Sequence, residues 1–256
     1  MTSEEIISLY FKRMGMTVPD TITPDAETLR KLHMRHVMMI PYENTDYLSG
    51  NIKTTDFETQ FSEVIIKERG GMCIDMNPLF GQLLSLLGYK VHLFATRISQ
   101  RKENDLNFHV ILNVEDHDGG VWWCDVANPF TRYFEPLLIE TGVEQSASGS
   151  IFRFEKDSSG NLMLFEKKKE EWIELFRVIA TDASTEDRNR SKFEDFEKYP
   201  ENAVFCKEVF SIVTPTGRRT LTGNIYRESV NHMLYQFECT DELMPWAYSQ
   251  FGLKKD

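Results

Sequence analysis

The sequence predicts an α+β fold in which helices come first and antiparallel strands follow. Up to Gly88, apolar residues recur at the three- and four-residue spacing of helices. From Lys90 onward they alternate with polar residues, and short segments rich in Asp, Gly and Ser separate the alternating runs. Strands and helices do not alternate along the chain, as they would in a doubly wound parallel sheet. The 256 residues therefore divide into a helical, a strand-rich and a small mixed domain, with boundaries at 1–88, 89–190 and 191–256.

Four helices are predicted in the first domain. The first starts at Ser3 and is ended by Gly15, and the second ends because Pro41 cannot continue a helix. The fourth is an apolar run that follows shortly after Cys73 and is ended by Gly88. The predicted helices cover residues 3–14, 25–40, 57–67 and 78–87, and a loop is predicted over 40–44.

The strand-rich domain contains six predicted strands and ends in a polar linker over 181–190. Turn residues over 157–160 separate two of these strands and indicate a hairpin. The last domain begins with a short helix over 191–199, continues with three strands, and ends with a helix capped by Thr240 and Asp241. The predicted strands cover residues 90–98, 108–114, 121–126, 151–154, 162–165, 172–180, 207–213, 218–226 and 233–239.

Charge and cysteine content argue against several classes of function. A formal net charge of −11 disfavours nucleic acid and anionic membrane surfaces as partners. The four cysteines show no paired spacing, which disfavours a structural zinc site, and the N-terminal residues do not form a basic and then apolar signal segment. No apolar run approaches the about 18 residues of a membrane span. We therefore expect a soluble, cytoplasmic protein with reduced thiols.

His33 and His36 share one face of the second predicted helix, a spacing that also occurs in metal sites. A third Cys, Asp or Glu ligand does not accompany them nearby. Two histidines in this situation are more often buried and hydrogen-bonded than metal-bound. We therefore expect two buried, hydrogen-bonded histidines and no metal.

The segment from Arg69 to Asn77 is the candidate catalytic stretch. Gly70 and Gly71 permit a turn that residues with a Cβ would resist, and Cys73 follows at or near the start of a helix. The unpaired N–H groups and the positive end of the helix dipole favour an anion there, which for a thiol is the nucleophilic thiolate. The alternative is a small buried cysteine in a tight turn, which is the commoner role of a lone cysteine.

A nucleophilic cysteine needs a base and a third group that orients the base. His109 lies on a predicted strand, and Asp125 ends the strand predicted to pair with it. A hairpin folds the chain back between two such residues and so brings them close together. Cys73, His109 and Asp125 are therefore a candidate catalytic triad. From the residues alone, a surface histidine and a strand-end aspartate are an equally good interpretation.

These motifs resemble those of the arylamine N-acetyltransferases. The family hallmark Arg-Gly-Gly-X-Cys is present from Arg69 to Cys73, and Asn77 matches the asparagine that follows it. Residues 32–36 and 40–44 are similar to the family's Leu-His-X-X-His and Ile-Pro-Phe-Glu-Asn. The resemblance covers most of the chain, because further matching segments lie at 88–98, 109–112, 125–126 and 214–218.

The resemblance implies an N-terminal helical bundle, a central antiparallel β-barrel-like domain and a C-terminal α/β lid. It also implies ping-pong acyl transfer without a metal. Cys73 would take an acetyl group from acetyl-CoA, and an arylamine, hydrazine or N-hydroxyarylamine would then accept it. His109 would be the ion-pair partner and proton carrier, and Asp125 would orient it. Backbone N–H groups at and near Cys73 would stabilise the oxyanion.

Glu43 and Arg69 are expected to support this site without taking part in the chemistry. Both flank predicted buried turns. A bidentate Arg–carboxylate pair between them would lock the loop that carries the nucleophile. The resemblance likewise implies a structural role for the pair.

The chain departs from the family pattern at two places. Asp75 stands where the family usually has Glu or Gln. After Asp125 the family usually continues Val-Gly-Phe-Gly, whereas this chain has Val-Ala-Asn-Pro-Phe over 126–130. The resemblance implies that this segment shapes the acceptor pocket and the acyl-donor cleft, with Phe130 as a candidate substrate contact. Loss of both glycines stiffens a loop that would need unusual dihedral angles, and Pro129 removes an N–H donor.

Three other functions remain open at this point. One is a family relative that uses another acyl group or acceptor, as the macrolactam-forming amide synthases do. Another is a papain- or transglutaminase-like thiol hydrolase, although the local signature of papain-type peptidases is missing around Cys73. The last is a non-enzymatic binding protein, which the retained His109 and Asp125 argue against. An inert Cys73 would favour binding, and thioester turnover without an amine would favour hydrolysis.

Overall fold

The computed structural model describes residues 1–51, 53–99, 108–130, 133–181, 206–231 and 233–253, and elements are numbered within these ranges. The predicted helix over 191–199 and all but the first residue of the predicted linker over 181–190 lie outside the described residues.

Helices dominate the first part of the chain, as predicted. Thr2, and not Ser3, caps the first helix: its hydroxyl accepts the Glu5 N–H, and the Glu5 carboxylate accepts the Thr2 N–H. The third predicted helix begins as an α-helix and continues as a π-helix over Phe61–Ile66. The elements are α1 (Ser3–Arg13), α2 (Ala26–Met39), β1 (Tyr42–Glu43), α3 (Thr45–Leu48), α4 (Phe57–Gln60) and α5 (Cys73–Leu86).

An eight-stranded antiparallel sheet forms the middle of the chain and curls into a nearly closed barrel. The strands predicted from sequence are all present, and two short strands between the third and the fourth were missed. The strands are β2 (Lys90–Ile98), β3 (Phe108–Glu115), β4 (Val121–Cys124), β5 (Leu137–Leu138), β6 (Glu144–Ala147), β7 (Ser150–Lys156), β8 (Leu162–Lys168) and β9 (Glu171–Ala180), in the order β5-β4-β3-β2-β9-β8-β7-β6.

A second, five-stranded antiparallel sheet has the order β1-β10-β11-β12-β13. Its strands after β1 are β10 (Val209–Thr214), β11 (Gly217–Thr222), β12 (Ile225–Val230) and β13 (Met233–Glu238), and α6 (Met244–Ser249) follows them.

Three predictions for these segments are wrong in detail. The single strand predicted over 218–226 is two strands, because Gly223 adopts a φ of 58° and turns the chain. Thr240 and Asp241 do not cap the last helix; its N-cap is Leu243, without a side-chain bond. The predicted loop over 40–44 contains β1, which pairs with β10 through Tyr42 opposite Ser211.

The Cys73 helix lies directly against the sheet that carries the other two triad candidates. Gly81 makes this approach possible, because a Cβ there would lie 2.8 Å from the Leu112 side chain on β3. The main hydrophobic core accordingly joins residues of α1, α2 and α5 to residues of β3 and β4. The barrel interior and the C-terminal sheet have separate cores. The division into three domains at the predicted boundaries stays a prediction.

Among the described residues, no helix combines the length and apolar character needed to cross a membrane.

Candidate active site

Cys73 is the first residue of α5, so this helix starts five residues before the predicted range of 78–87 and includes Pro78 in its first turns. The preceding residue, Met72, is the N-cap, and its N–H donates to the Asp75 carboxylate at 3.0 Å. The shorter Asp75 therefore still reaches back to the helix start, where a carboxylate is favourable. The cysteine side chain is buried among apolar residues, with 7% of the residue exposed. The nucleophile candidate thus lies at the N-terminus of a buried helix.

Close packing, and not an unusual dihedral angle, requires glycine at position 70. Neither Gly70 nor Gly71 has a positive φ. A Cβ on Gly70 would lie 2.2 Å from the Pro41 carbonyl oxygen and 2.7 Å from the Glu43 side chain. The Gly71 carbonyl accepts the Glu43 N–H at 3.1 Å. The turn before Cys73 is therefore pressed against the segment that contains β1.

Glu43 and Arg69 are brought together at this turn. The Arg69 Nε donates to Glu43 Oε1 at 2.9 Å, and the same carboxylate oxygen accepts the Gly70 N–H at 3.3 Å. The predicted bidentate geometry is wrong, because Arg69 Nη2 donates to Thr45 Oγ1 and to Asp46 Oδ1 instead. Glu43 is buried, and its carboxylate accepts the Thr45 N–H as well as the Gly70 N–H. It therefore ties the segment after α2 to the cysteine turn.

Cys73, His109 and Asp125 meet at one point of the structure. His109 Nε2 lies 2.7 Å from Asp125 Oδ2. The Cys73 side chain lies close enough to the same imidazole to raise its pKa. All three residues are buried, and the His109 ring stacks on Phe176 with 5.2 Å between centroids. The alternative of a surface-facing histidine is therefore wrong.

Neighbouring charges set the protonation states of His109 and Asp125. Burial by itself would lower the pKa of His109, but the Asp125 carboxylate and Cys73 raise that pKa to about 10. Burial would raise the pKa of Asp125, but the His109 charge and hydrogen bonds lower it to about 2. At neutral pH the site accordingly contains an imidazolium next to a carboxylate and close to the cysteine.

Asp125 is held by donors from three further residues. Its Oδ1 accepts from Asn77 Nδ2 at 3.0 Å and from the Ala127 N–H at 3.2 Å. Its Oδ2 accepts from the Tyr133 hydroxyl at 3.2 Å. Each added donor stabilises the ionised carboxylate and restricts its rotation. Tyr133 was not predicted as a site residue, because its local sequence contains no recognisable signal.

Asn77 links all three catalytic segments. It lies one helical turn after Cys73 on α5 and has no exposed surface. Besides Asp125, its amide nitrogen donates to the Val110 carbonyl at 2.7 Å, and its amide oxygen accepts the Val126 N–H at 2.8 Å. Asn77, the asparagine of the family motif, is therefore part of the site. Its spacing from Cys73 in the sequence did not indicate this role.

The two histidines of α2 are buried and hydrogen-bonded, as predicted. His36 Nδ1 lies 3.1 Å from the Tyr10 hydroxyl. His33 Nδ1 lies 3.1 Å from the Phe134 carbonyl, and His33 Nε2 accepts the Asp125 N–H at 3.2 Å. His33 consequently touches the triad, which the sequence analysis did not anticipate. Within the described residues, no group of three or more His, Cys, Asp and Glu side chains is arranged to hold a metal.

The segment after Asp125 adopts no unusual dihedral angles. None of residues 126–130 has a positive φ, so the family's glycines are not needed for this conformation. The Asn128 carbonyl instead accepts from Arg218 Nη1 at 2.6 Å, which attaches the segment to β11. Phe130, the candidate substrate contact, is 60% exposed. A cleft beside Asp125 is lined by Val37, Tyr42, Asn128, Tyr133, Ser211 and Arg218, among others.

Comparison with known proteins identifies what the chain is similar to. A family model described as N-acetyltransferase matches residues 25–254. A curated relative, proansamycin X synthase of Amycolatopsis mediterranei (strain S699), is 32% identical over 158 residues, which span 60% of this chain and 60% of that relative.

Solved structures share the fold over nearly the whole chain. The arylamine N-acetyltransferase from Salmonella typhimurium has a TM-score of 0.86 at 24% identity and covers 99% of this chain and 92% of its own. Mycobacterium marinum arylamine N-acetyltransferase in complex with CoA has a TM-score of 0.83 at 23% identity, with 96% and 92% covered. These matches confirm the predicted combination of helices with a β-barrel-like sheet.

Proposed function

The chain belongs to the N-acetyltransferase family, and on this premise we propose that it is an arylamine N-acetyltransferase. It moves an acetyl group from acetyl-CoA to an arylamine, hydrazine or N-hydroxyarylamine through an acetyl-cysteine at Cys73. One observation carries the proposal: His109 lies 2.7 Å from the Asp125 carboxylate and close enough to Cys73 for that residue to raise the pKa of the imidazole. Nucleophile, base and orienting group are thus close together.

The first half-reaction acylates the cysteine. The Cys73 thiolate attacks the thioester carbonyl carbon, and the C–S bond to CoA breaks. The departing CoA sulfur takes the proton that the His109 imidazolium holds. Asp125 keeps the imidazole oriented throughout, since its carboxylate accepts from Nε2. The products are acetyl-Cys73, CoA and neutral His109.

The second half-reaction passes the acetyl group to the amine. The amine nitrogen attacks the acetyl carbonyl carbon and loses a proton to neutral His109. The Cys73 sulfur leaves as thiolate, which restores the initial ion pair. In both halves the oxyanion faces the start of α5, where the N–H groups of Cys73 and Ile74 have no acceptor within the helix.

Related proteins support acetyl-CoA as donor and an aromatic amine as acceptor. The Mycobacterium marinum relative was solved with CoA, and the solved relatives are named for arylamine acetylation. We propose Phe130 as a substrate contact because it is exposed at the end of the segment after Asp125. The protein acts in the cytoplasm, without metal, nucleic acid or membrane as partner.

A second candidate function is acyl transfer to a different acceptor. It is favoured by one observation, the 32% identity to a relative that is named a synthase and not an arylamine N-acetyltransferase. The Cys73 chemistry would be the same, and only the acyl group and its acceptor would differ.

The test is to mix the protein with acetyl-CoA, without acceptor, and to measure intact mass beside a Cys73→Ala control. Gain of one acetyl group, absent from the control and discharged by an arylamine, is the expected result. A folded protein that keeps an alkylatable Cys73 but neither gains mass nor releases CoA would rule out acetyl-CoA as donor. Rapid CoA release without an adduct would indicate hydrolysis instead.

A further inference from the structure

We propose that His33 is a positioning residue for Asp125: from a helix that contains no triad residue, it holds the main chain at Asp125 and again at Phe134. This inference rests on the proposed function of the triad. His33 Nε2 accepts the Asp125 N–H at 3.2 Å, although the two residues are 92 positions apart. His33 Nδ1 contacts the Phe134 carbonyl at 3.1 Å. The ring therefore joins α2 to two points of the segment that follows β4.

The two contacts require one tautomer of neutral His33. A carbonyl oxygen accepts hydrogen bonds only, so Nδ1 carries the hydrogen and donates to Phe134. Nε2 then has a lone pair, which the Asp125 N–H requires. Protonation would place an N–H at Nε2 against the N–H of Asp125 and break that bond. Burial agrees with this state, because it lowers the pKa of His33 to about 4.

His33 fixes the part of the chain that supplies two groups to the triad. Asp125 accepts from His109 through Oδ2, and Tyr133 donates to that same oxygen at 3.2 Å. Tyr133 immediately precedes Phe134, so the His33 contacts lie at the two ends of the segment that carries both side chains. Asn77 holds the Asp125 side chain, whereas His33 holds its main chain. A small displacement of a catalytic group reduces rates strongly, which gives this support functional weight.

His36 provides an internal comparison, because it shares the burial of His33 but not its contacts. Both residues are 0% exposed and both rings meet Phe80 edge-on, at 6.1 Å for His33 and 5.1 Å for His36. His36 bonds Tyr10 through Nδ1, and within the described part of the chain its Nε2 has no hydrogen-bond partner. His36 thus has the contacts of a packing residue, whereas His33 is bonded at both ring nitrogens to the main chain of the site.

Several titratable groups surround the contact between His33 and Asp125, and they contribute to any pH dependence of Cys73 alkylation. On α2 the neighbour is His36, and on the opposite side the groups are Asp125, His109, Tyr133, Cys124 and Arg218. Comparing His33→Phe with His36→Phe separates the effect of His33 from the effects of these other groups.

The experiment compares His33→Phe, His33→Gln and His36→Phe in the full chain. The rate of Cys73 alkylation by iodoacetamide is followed from pH 5 to 9 on the Cys73 peptide by mass spectrometry, since Cys206 is an exposed thiol that also reacts. Urea unfolding gives the folded fraction for each variant. Alkylation needs no acyl donor, so this readout does not depend on acetyl-CoA being the donor.

We expect His33→Phe to lower the alkylation rate of folded protein at pH 6 by about tenfold. His33→Gln offers one donor and one acceptor on neighbouring atoms and should recover part of the loss. His36→Phe should lose stability but keep the wild-type profile. Superimposable profiles for wild type and His33→Phe, or equal shifts in both Phe variants, would overturn the assignment. A wild-type Cys73 that does not react at all would contradict the proposed function itself.

Discussion

Asn77 donates its amide N–H to the Asp125 carboxylate across 3.0 Å, one helical turn after the cysteine that the carboxylate serves. The same side chain bonds the main chain next to His109 and next to Asp125. The helix that carries Cys73 therefore also sets the positions of β3, which carries His109, and of the end of β4, which Asp125 follows. Four predictions follow from these and related contacts.

Asn77→Ala should reduce both activity and stability. It leaves the buried Val110 carbonyl and the Val126 N–H without their partner, which we expect to lower the free energy of unfolding by about 2 kcal/mol. Loss of the Asp125 contact should slow acylation of folded protein about 10- to 100-fold. Urea unfolding and single-turnover CoA release measure the two effects.

Asn44→Ala is the matched control for that variant. Asn44 is 1% exposed and likewise bonds main-chain groups, the Lys207 carbonyl and the Val209 N–H. It should lose comparable stability and keep the acylation rate per folded molecule. Equal activity losses in the two variants would show that Asn77 acts only through folding.

Asp125→Asn should suppress acylation while it preserves the shape of the site. Without the carboxylate charge, burial dominates and lowers the pKa of His109, so the imidazolium is lost at neutral pH. We expect acetyl-cysteine formation to slow by about 100-fold or more. The control is Asp116→Asn at the other end of the β3–β4 hairpin, where a buried carboxylate accepts from Gly120 and Trp122. An Asp125→Asn enzyme as fast as Asp116→Asn would refute the triad assignment.

Glu43→Ala should destabilise the protein more than it alters the chemistry. Glu43 accepts from Arg69 and from the main chain of the cysteine turn, so its removal should lower the free energy of unfolding by about 2 kcal/mol. Asp46→Ala removes a longer, more exposed contact to the same arginine and should lose less than about 1 kcal/mol. Normal thermal unfolding together with absent acetyl-cysteine in Glu43→Ala would contradict this prediction.

The free energy of unfolding should be greatest near pH 6.5. The pKa of His33 is about 4 in the folded protein, compared with an ordinary histidine value of 6.5, so stability falls as pH drops from 6.5 towards 4, by about 1.4 kcal/mol per pH unit for this one group. His109 has a raised pKa of about 10, so its contribution is complete below pH 6.5 and is lost as pH rises towards 10. Urea unfolding from pH 5 to 9 measures the loss of stability on both sides of this maximum. His33→Phe should reduce the loss of stability below pH 6.5, and an unchanged loss would contradict the assignment.

The fold class and the triad were accessible from the sequence because each depends on local signals. Helical spacing, the glycines of the cysteine turn and alternation in the strands are properties of neighbouring residues. Those signals place Cys73 near a helix start, His109 on β3 and Asp125 directly after β4, and the family resemblance makes the three residues the candidate triad. The errors have the same origin: β1 is only two residues long, and the β11–β12 turn depends on the single residue Gly223.

Only the tertiary structure shows which contacts hold Asp125 and the segment after it in place. His33 meets Asp125, and Arg218 meets Asn128, across 92 and 90 positions of chain. A hydrogen bond from a side chain to a distant main-chain group imposes no period and no spacing on the sequence, so no local pattern reveals it. The sequence by itself therefore determined which residues are proposed to carry the chemistry, and only the packing of α2, α5 and β11 around them determined how Asp125 is held in place.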